Sequence, residues 1–159
     1  MKASQITLVQ STFDRVLPIS DVAAQIFYDR LFHLDPSLRR LFNGDLRMQG
    51  KKLMDAISIL VGNLNRPDRI IPGIRALGRR HVAYGVQEEH YTTFREALMW
   101  TLEHGLGDAF TPDVRYAWSA VYDLIADTMK DAAKSASVPL PAAPGERGRR
   151  PDEGLDGVN

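Results

Sequence analysis

The stretch IIPGIRALGRRHVAYG, residues 70–85, decides how the chain is read. Ile70, Ile74, Leu77 and His81 follow one another at spacings of four, three and four, which puts all four on one face of a helix. Tyr84-Gly85-Val86 ends that helix, with a glycine suited to a left-handed C-cap. The inward stripe therefore closes on a histidine. A buried polar group needs a partner, since leaving it unpaired costs roughly 1–3 kcal/mol. A lone histidine on an apolar face is often only a satisfied core residue, so its neighbours have to decide its role.

Working outward, the same periodicity recurs on both sides. Ile6, Val9, Phe13 and Val16 share a face, and Pro18 is expected to stop that helix. Ser20 or Asp21 can cap a second helix carrying Val22, Ile26 and the run Phe27-Tyr28-Asp29-Arg30-Leu31-Phe32. Asp35-Pro36 closes it and opens a short helical turn holding Leu38, Leu41 and Phe42. After the turn Asn43-Gly44-Asp45, a helix from about Leu46 to Leu64 aligns Leu46, Gln49, Leu53, Ile57, Leu60 and Leu64. Asn65-Arg66-Pro67-Asp68 separates it from the 70–85 helix. Beyond Gly85, Tyr91, Phe94, Leu98 and Thr101 or Leu102 mark a longer helix that stops at Gly105 and Gly107. Thr111-Pro112 supplies a capping hydroxyl and a proline at the first helical position. The final helix turns Val114, Trp118, Val121, Ile125 and Met129 inward. Seven helical segments, one very short, and no strand alternation predict an all-α domain over residues 1–136.

The chain has 159 residues, and 20 Lys and Arg balance 20 Asp and Glu, so a polyanion is not the default partner and neither nucleic acid nor an acidic membrane is expected. Hydrophobic residues make up 44 %, ordinary for a folded chain. Cysteine is absent, which excludes disulfides, thiolate chemistry and iron–sulfur clusters. No run approaches the ~18 apolar residues that cross a bilayer, and Met1-Lys2-Ala3-Ser4-Gln5 leads into no apolar signal region. The expectation is a cytoplasmic protein. Residues 137–159 carry Pro139, Pro141, Pro144 and Pro151 among scattered glycines and charges, and are expected to form a disordered tail.

Polar residues on apolar stripes carry the functional information. Gln49 lies between Leu46 and Leu53, Tyr28 lies in an apolar helix, and His81 ends its stripe. Their convergence in a helical core suggests a pocket. His33, His90 and His104 have bland readings; His104, near a helix C-terminus, is explained by the helix dipole. Glu88-Glu89 reads as a helix-start charge cluster.

The blocks Phe27 to Phe32, Leu38-x-x-Leu41-Phe42, Gln49-x-x-Lys52-Leu53, Leu77-Gly78-x-x-His81, Glu89-His90-Tyr91, Leu106-Gly107-x-x-x-Thr111 and Ala117-Trp118-x-x-x-Tyr122 occur in this order. Together they resemble the single-domain bacterial hemoglobins and the globin half of flavohemoglobins, over residues 4 to about 134. The resemblance implies a globin fold around heme b (iron protoporphyrin IX), with His81 as the proximal iron ligand through a neutral imidazole. It places Tyr28, Gln49 and Leu53 on the distal side, where a hydroxyl or amide can donate to a gas ligand. Phe42 would pack on the heme edge, Lys52 could reach a propionate, and Tyr91 matches a tyrosine behind the proximal histidine. The glutamate of that proximal set is replaced here by Ala133, which weakens the case for strong electron donation through the histidine. Asp131 is close but would point elsewhere.

The resemblance implies reversible binding of oxygen, carbon monoxide and nitric oxide. The alternative is a nitric oxide dioxygenase dependent on a separate reductase, with Tyr28 and Gln49 as the distal groups. A gas sensor and a heme-free helical regulator are further readings. Oligomeric state is not legible.

Overall fold

A computed structural model describes residues 1–136. Six α-helices follow one another: α1 (Ala3–Val16), α2 (Ser20–Leu34), α3 (Leu46–Gly62), α4 (Pro67–Ala83), α5 (Glu88–Leu106) and α6 (Pro112–Ala136). Short 3-10 turns lie at Leu17–Ile19, Pro36–Leu41 and Gly107–Ala109, and the described residues contain no strand. The six helices and the Pro36–Leu41 turn are the seven expected segments. The expected tail, 137–159, lies outside the described residues. No helix among them is long and apolar enough to cross a membrane.

Local chemistry sets most of the boundaries. Thr111 Oγ1 accepts a hydrogen bond from the Val114 amide at the start of α6, as the Thr-Pro pair predicts. Gly85 adopts φ +91° after α4, a conformation that side chains with a Cβ rarely take. Two boundaries differ from expectation. Ser20 is the first residue of α2 and makes no side-chain cap, because the 3-10 turn carries the chain from α1 into α2 almost without interruption. Pro18 sits near the start of that turn, where a missing N–H costs little. His90, read as bland, caps α5: the Gln87 amide donates to its Nδ1 at 2.9 Å, and the ring is buried.

Two packing features position the cavity. Helix α4 lies on α6 and α3 lies on α2, but α3 and α4 do not pack broadly on one another, so a slot stays open between them. At the α4–α6 crossing, Gly78 lets the two backbones touch. A Cβ there would fall inside contact distance of the Met129 carbonyl oxygen and 2.7 Å from Met129 Cα. Helix α1 closes the far side, with Val9, Phe13 and Val16 buried and the Trp118 indole N–H donating to Thr12 Oγ1 at 2.9 Å. Pro72 lies inside α4. It is exposed and in the second turn, so the helix loses one hydrogen bond there without leaving a buried carbonyl unpaired.

Candidate functional site

The slot between α3 and α4 widens into a cavity with an empty volume of about 1030 Å³ counting its open mouth. Its walls come from every helix but α1. Helix α2 supplies Phe27 and Tyr28, α3 supplies Leu53, Ala56, Ile57, Leu60 and Val61, and α4 supplies Leu77 and His81. Phe42, Val86, Tyr91, Phe94 and Leu98 close one side; Trp118, Val121, Tyr122, Ile125, Ala126 and Met129 of α6 close the other. The lining is apolar except for one imidazole, one indole and three phenols.

Periodicity explains how these residues meet. Ile70, Ile74, Leu77 and His81 are all buried, as their spacing requires, and the stripe carries His81 to the cavity wall. The His81 Nδ1 lies 2.9 Å from the Leu77 carbonyl oxygen. A carbonyl only accepts, so Nδ1 carries the proton and Nε2 keeps a free lone pair. Burial holds the His81 pKa down to about 4, against which the hydrogen bond to Leu77 acts only partly. The ring is therefore neutral near pH 7.

The depressed pKa has a consequence for the cofactor-free chain. Between pH 6.5 and 4 the unfolded state binds a proton at this histidine and the folded state does not, so stability falls with pH across that window by about 3 kcal/mol. It levels off below pH 4. Urea unfolding at a series of pH values should show this loss in the native chain and lack it in His81→Leu; parallel profiles for the two would refute it.

Tyr28 is 6 % exposed, and its ring stands edge-on to Phe27 and Phe42 with centroids 5.4 and 5.3 Å away. Stacking on Phe32 at 6.0 Å completes its surroundings. This aromatic cage fixes the ring, and burial pushes the hydroxyl well above the ordinary tyrosine range, so it stays protonated and is a donor. No described residue accepts its proton. Burial also raises the Tyr91 hydroxyl. Tyr122 donates its hydroxyl proton to the Tyr91 backbone carbonyl, tying α6 to α5 beside the cavity.

Of the residues singled out in the sequence, the structure brings Tyr28, Phe42, Leu53, His81 and Tyr91 around this one cavity. Gln49 and Lys52 stand outside its lining. Gln49 is half-buried, its Oε1 shielded and without a partner, next to Gly50, whose Cα packs close to Ala24 and Tyr28. Lys52 is exposed, beside Leu53. Ala133 lines a second cleft with Val82, Val86, Glu88, Tyr91 and Lys130, so the absent carboxylate leaves open space behind Tyr91. Asp131 is exposed. Val86, Phe94 and Tyr122 were not anticipated as lining residues. For Tyr122 the signal was available, since it falls four residues after the inward-facing Trp118.

Comparison with known proteins identifies the fold. The globin family profile matches residues 25–129. A flavohemoprotein of Bacillus subtilis is 31 % identical over 125 residues, which cover 77 % of this chain and 31 % of that protein. A Xylella fastidiosa flavohemoprotein is 32 % identical over 129 residues, covering 79 % and 32 %. Among solved structures, an engineered carbene transferase from Rhodothermus marinus, itself a candidate nitric oxide dioxygenase, superposes with a TM-score of 0.77. It is 25 % identical and covers 86 % of this chain and 96 % of its own. A hexacoordinated heme protein from a tardigrade shares the fold, with a TM-score of 0.76 at 15 % identity over 84 % and 96 %. The chain belongs to the globin family, and its all-α architecture is the globin fold. It spans about a third of the length of the flavohemoproteins it matches.

Proposed function

We propose that the cavity holds heme, as iron protoporphyrin IX, with His81 as the axial ligand, and that the protein reversibly binds oxygen, carbon monoxide and nitric oxide there. The observation that carries this reading is a buried, neutral imidazole facing a large apolar slot, with Nδ1 committed to Leu77 and Nε2 free. Among the described residues no three His, Cys, Asp or Glu side chains gather to hold a bare ion. A lone nitrogen donor suits a metal that brings its own equatorial ligands, and the apolar walls suit a flat macrocycle. Heme, when bound, supplies an iron that accepts a diatomic gas on the side away from the histidine. The test is the optical spectrum of the protein titrated with hemin, then reduced with dithionite, exposed to carbon monoxide and finally to air. One hemin per chain and a sharp Soret shift with carbon monoxide are expected; no stoichiometric uptake would sink the reading.

The chain's own residues divide the remaining work. Phe42 and Leu53 shape the slot and exclude water, Tyr91 backs the histidine, and exposed Lys52 is assigned to a heme propionate. Tyr28 offers a protonated hydroxyl in a dry cavity, where a hydrogen bond to a polarised gas ligand is strengthened by the low dielectric. Removing it with Tyr28→Phe should weaken oxygen binding by roughly 1–3 kcal/mol, read as a faster dissociation rate in stopped flow. An unchanged rate, with acceleration in Gln49→Leu instead, would assign the donor role to the Gln49 side-chain amide N–H.

The description of one solved neighbour, the candidate nitric oxide dioxygenase from Rhodothermus marinus, favours a second reading, nitric oxide dioxygenation. Nitric oxide, oxygen and one electron give nitrate, so each turnover needs an electron from outside the helical domain. Heme b as the specific cofactor and a separate reductase belong to this proposal. Mixing the oxygenated protein with nitric oxide tests it: stoichiometric nitrate with conversion to the ferric form is expected of a dioxygenase.

A further inference from the structure

The chain's neutrality covers an uneven distribution of charge. Residues 37–80 carry ten Lys and Arg against three Asp and Glu, whereas residues 81–136 carry four against nine. Together with Arg66, helix α4 carries five arginines against one aspartate, four of the seven net positive charges of residues 37–80. Its buried stripe ends on His81, while Arg69, Arg75 and Arg79 are exposed on the other side and Arg66 is exposed at its start. None of these four guanidinium groups makes a hydrogen bond or ion pair to a described residue. Asp68 is the one carboxylate within α4.

We propose that the outer face of α4 is the docking surface for an acidic electron-carrier protein. This rests on the heme reading above and names the partner that the electron requirement implies. Four unpaired guanidinium groups along about 20 Å of helix match carboxylates in geometry and charge. A face one helix wide suits a weak, transient encounter rather than a stable complex. The acidic α5–α6 half repels a nucleic acid or an anionic bilayer extending beyond the patch, but not a compact acidic protein. A donor seated here has only the thickness of α4, about 10–12 Å with side chains, between itself and the His81 side of the cavity. The step is a single electron transfer: the donor's reduced flavin is oxidised by one electron, ferric iron becomes ferrous, and no bond is made or broken.

The test uses the full chain loaded with heme, in the ferric form under carbon monoxide, with a reduced acidic flavodoxin as probe. At low ionic strength the R75E/R79E variant should be reduced at least about tenfold more slowly than the native protein, and the native rate should fall with added salt. Dithionite should reduce both equally. The charge-matched control K2E/R15E on α1 should keep the native rate. Equal rates for R75E/R79E and the native protein, or an equal loss in the control, would overturn the proposal. Binding to phosphatidylserine vesicles or duplex DNA that R75E/R79E abolishes, with flavodoxin reduction unchanged, would give the face to another partner and overturn it as well. A native protein without a ferrous carbon monoxide spectrum would fail the heme reading separately; calorimetric binding of oxidised flavodoxin to the same variants still decides the docking face.

Discussion

His81→Ala is expected to abolish axial ligation while leaving the helical fold in place. The imidazole contributes the nitrogen donor that reaches the proposed iron, and the described residues around the cavity include no second histidine. Its removal leaves a buried gap at the cavity wall and takes from the Leu77 carbonyl the hydrogen bond that Nδ1 donates to it. Hemin uptake should drop below one per chain, and the ferrous carbon monoxide spectrum should lose its five-plus-one character. Free imidazole added to the variant should refill the gap and restore the spectrum, a rescue that a merely structural histidine would not show. Normal hemin stoichiometry with an unchanged spectrum would refute the assignment. Loss of helicity in far-UV circular dichroism would make His81 a folding residue instead.

Gly78→Ala is the second large effect, and its sign is not what helix propensity alone gives. Alanine in a helix interior is favoured over glycine by about 1 kcal/mol. Here the added methyl meets the Met129 backbone, which cannot rotate away as a side chain could. Overpacking a tight contact typically costs 1–3 kcal/mol, and against backbone the upper part of that range or more is expected. Helix α4 must move off α6, and His81 lies one turn along the same helix. The variant should therefore unfold at lower urea and release hemin faster to an acceptor apoprotein. Native-like values in both measurements would show that the crossing has slack. A control such as Gly62→Ala, where a Cβ meets nothing within 4 Å, should be neutral or stabilising.

The two predictions separate what could be read from the sequence and what could not. The spacing of Ile70, Ile74, Leu77 and His81 fixed both the helix and its inward face, because that face depends on residues within four turns. Thr111-Pro112 announced α6 for the same local reason. Gly78 gave no such sign: its role depends on the crossing with α6, whose contact residue lies far along the chain. Gln49 shows the limit in the other direction. It shares a stripe with Leu53, yet the wheel angle between them leaves Leu53 in the cavity wall and Gln49 outside it. His90 was legible only in part, since a histidine rarely takes the capping role that Glu or Gln usually fills. The charge asymmetry was in the sequence throughout and was hidden by a total of zero.

The bond between Trp118 and Thr12 joins residues 106 positions apart, and the cavity wall runs from Phe27 to Met129. During synthesis the chain emerges from its N-terminus, and pairing of distant segments waits for the later one. Until α6 has left the ribosome, α4 has nothing to lie on and the slot has only part of its walls. The cavity is thus a property of the finished fold, and the heme proposed for it would find a complete pocket only once α6 has been made.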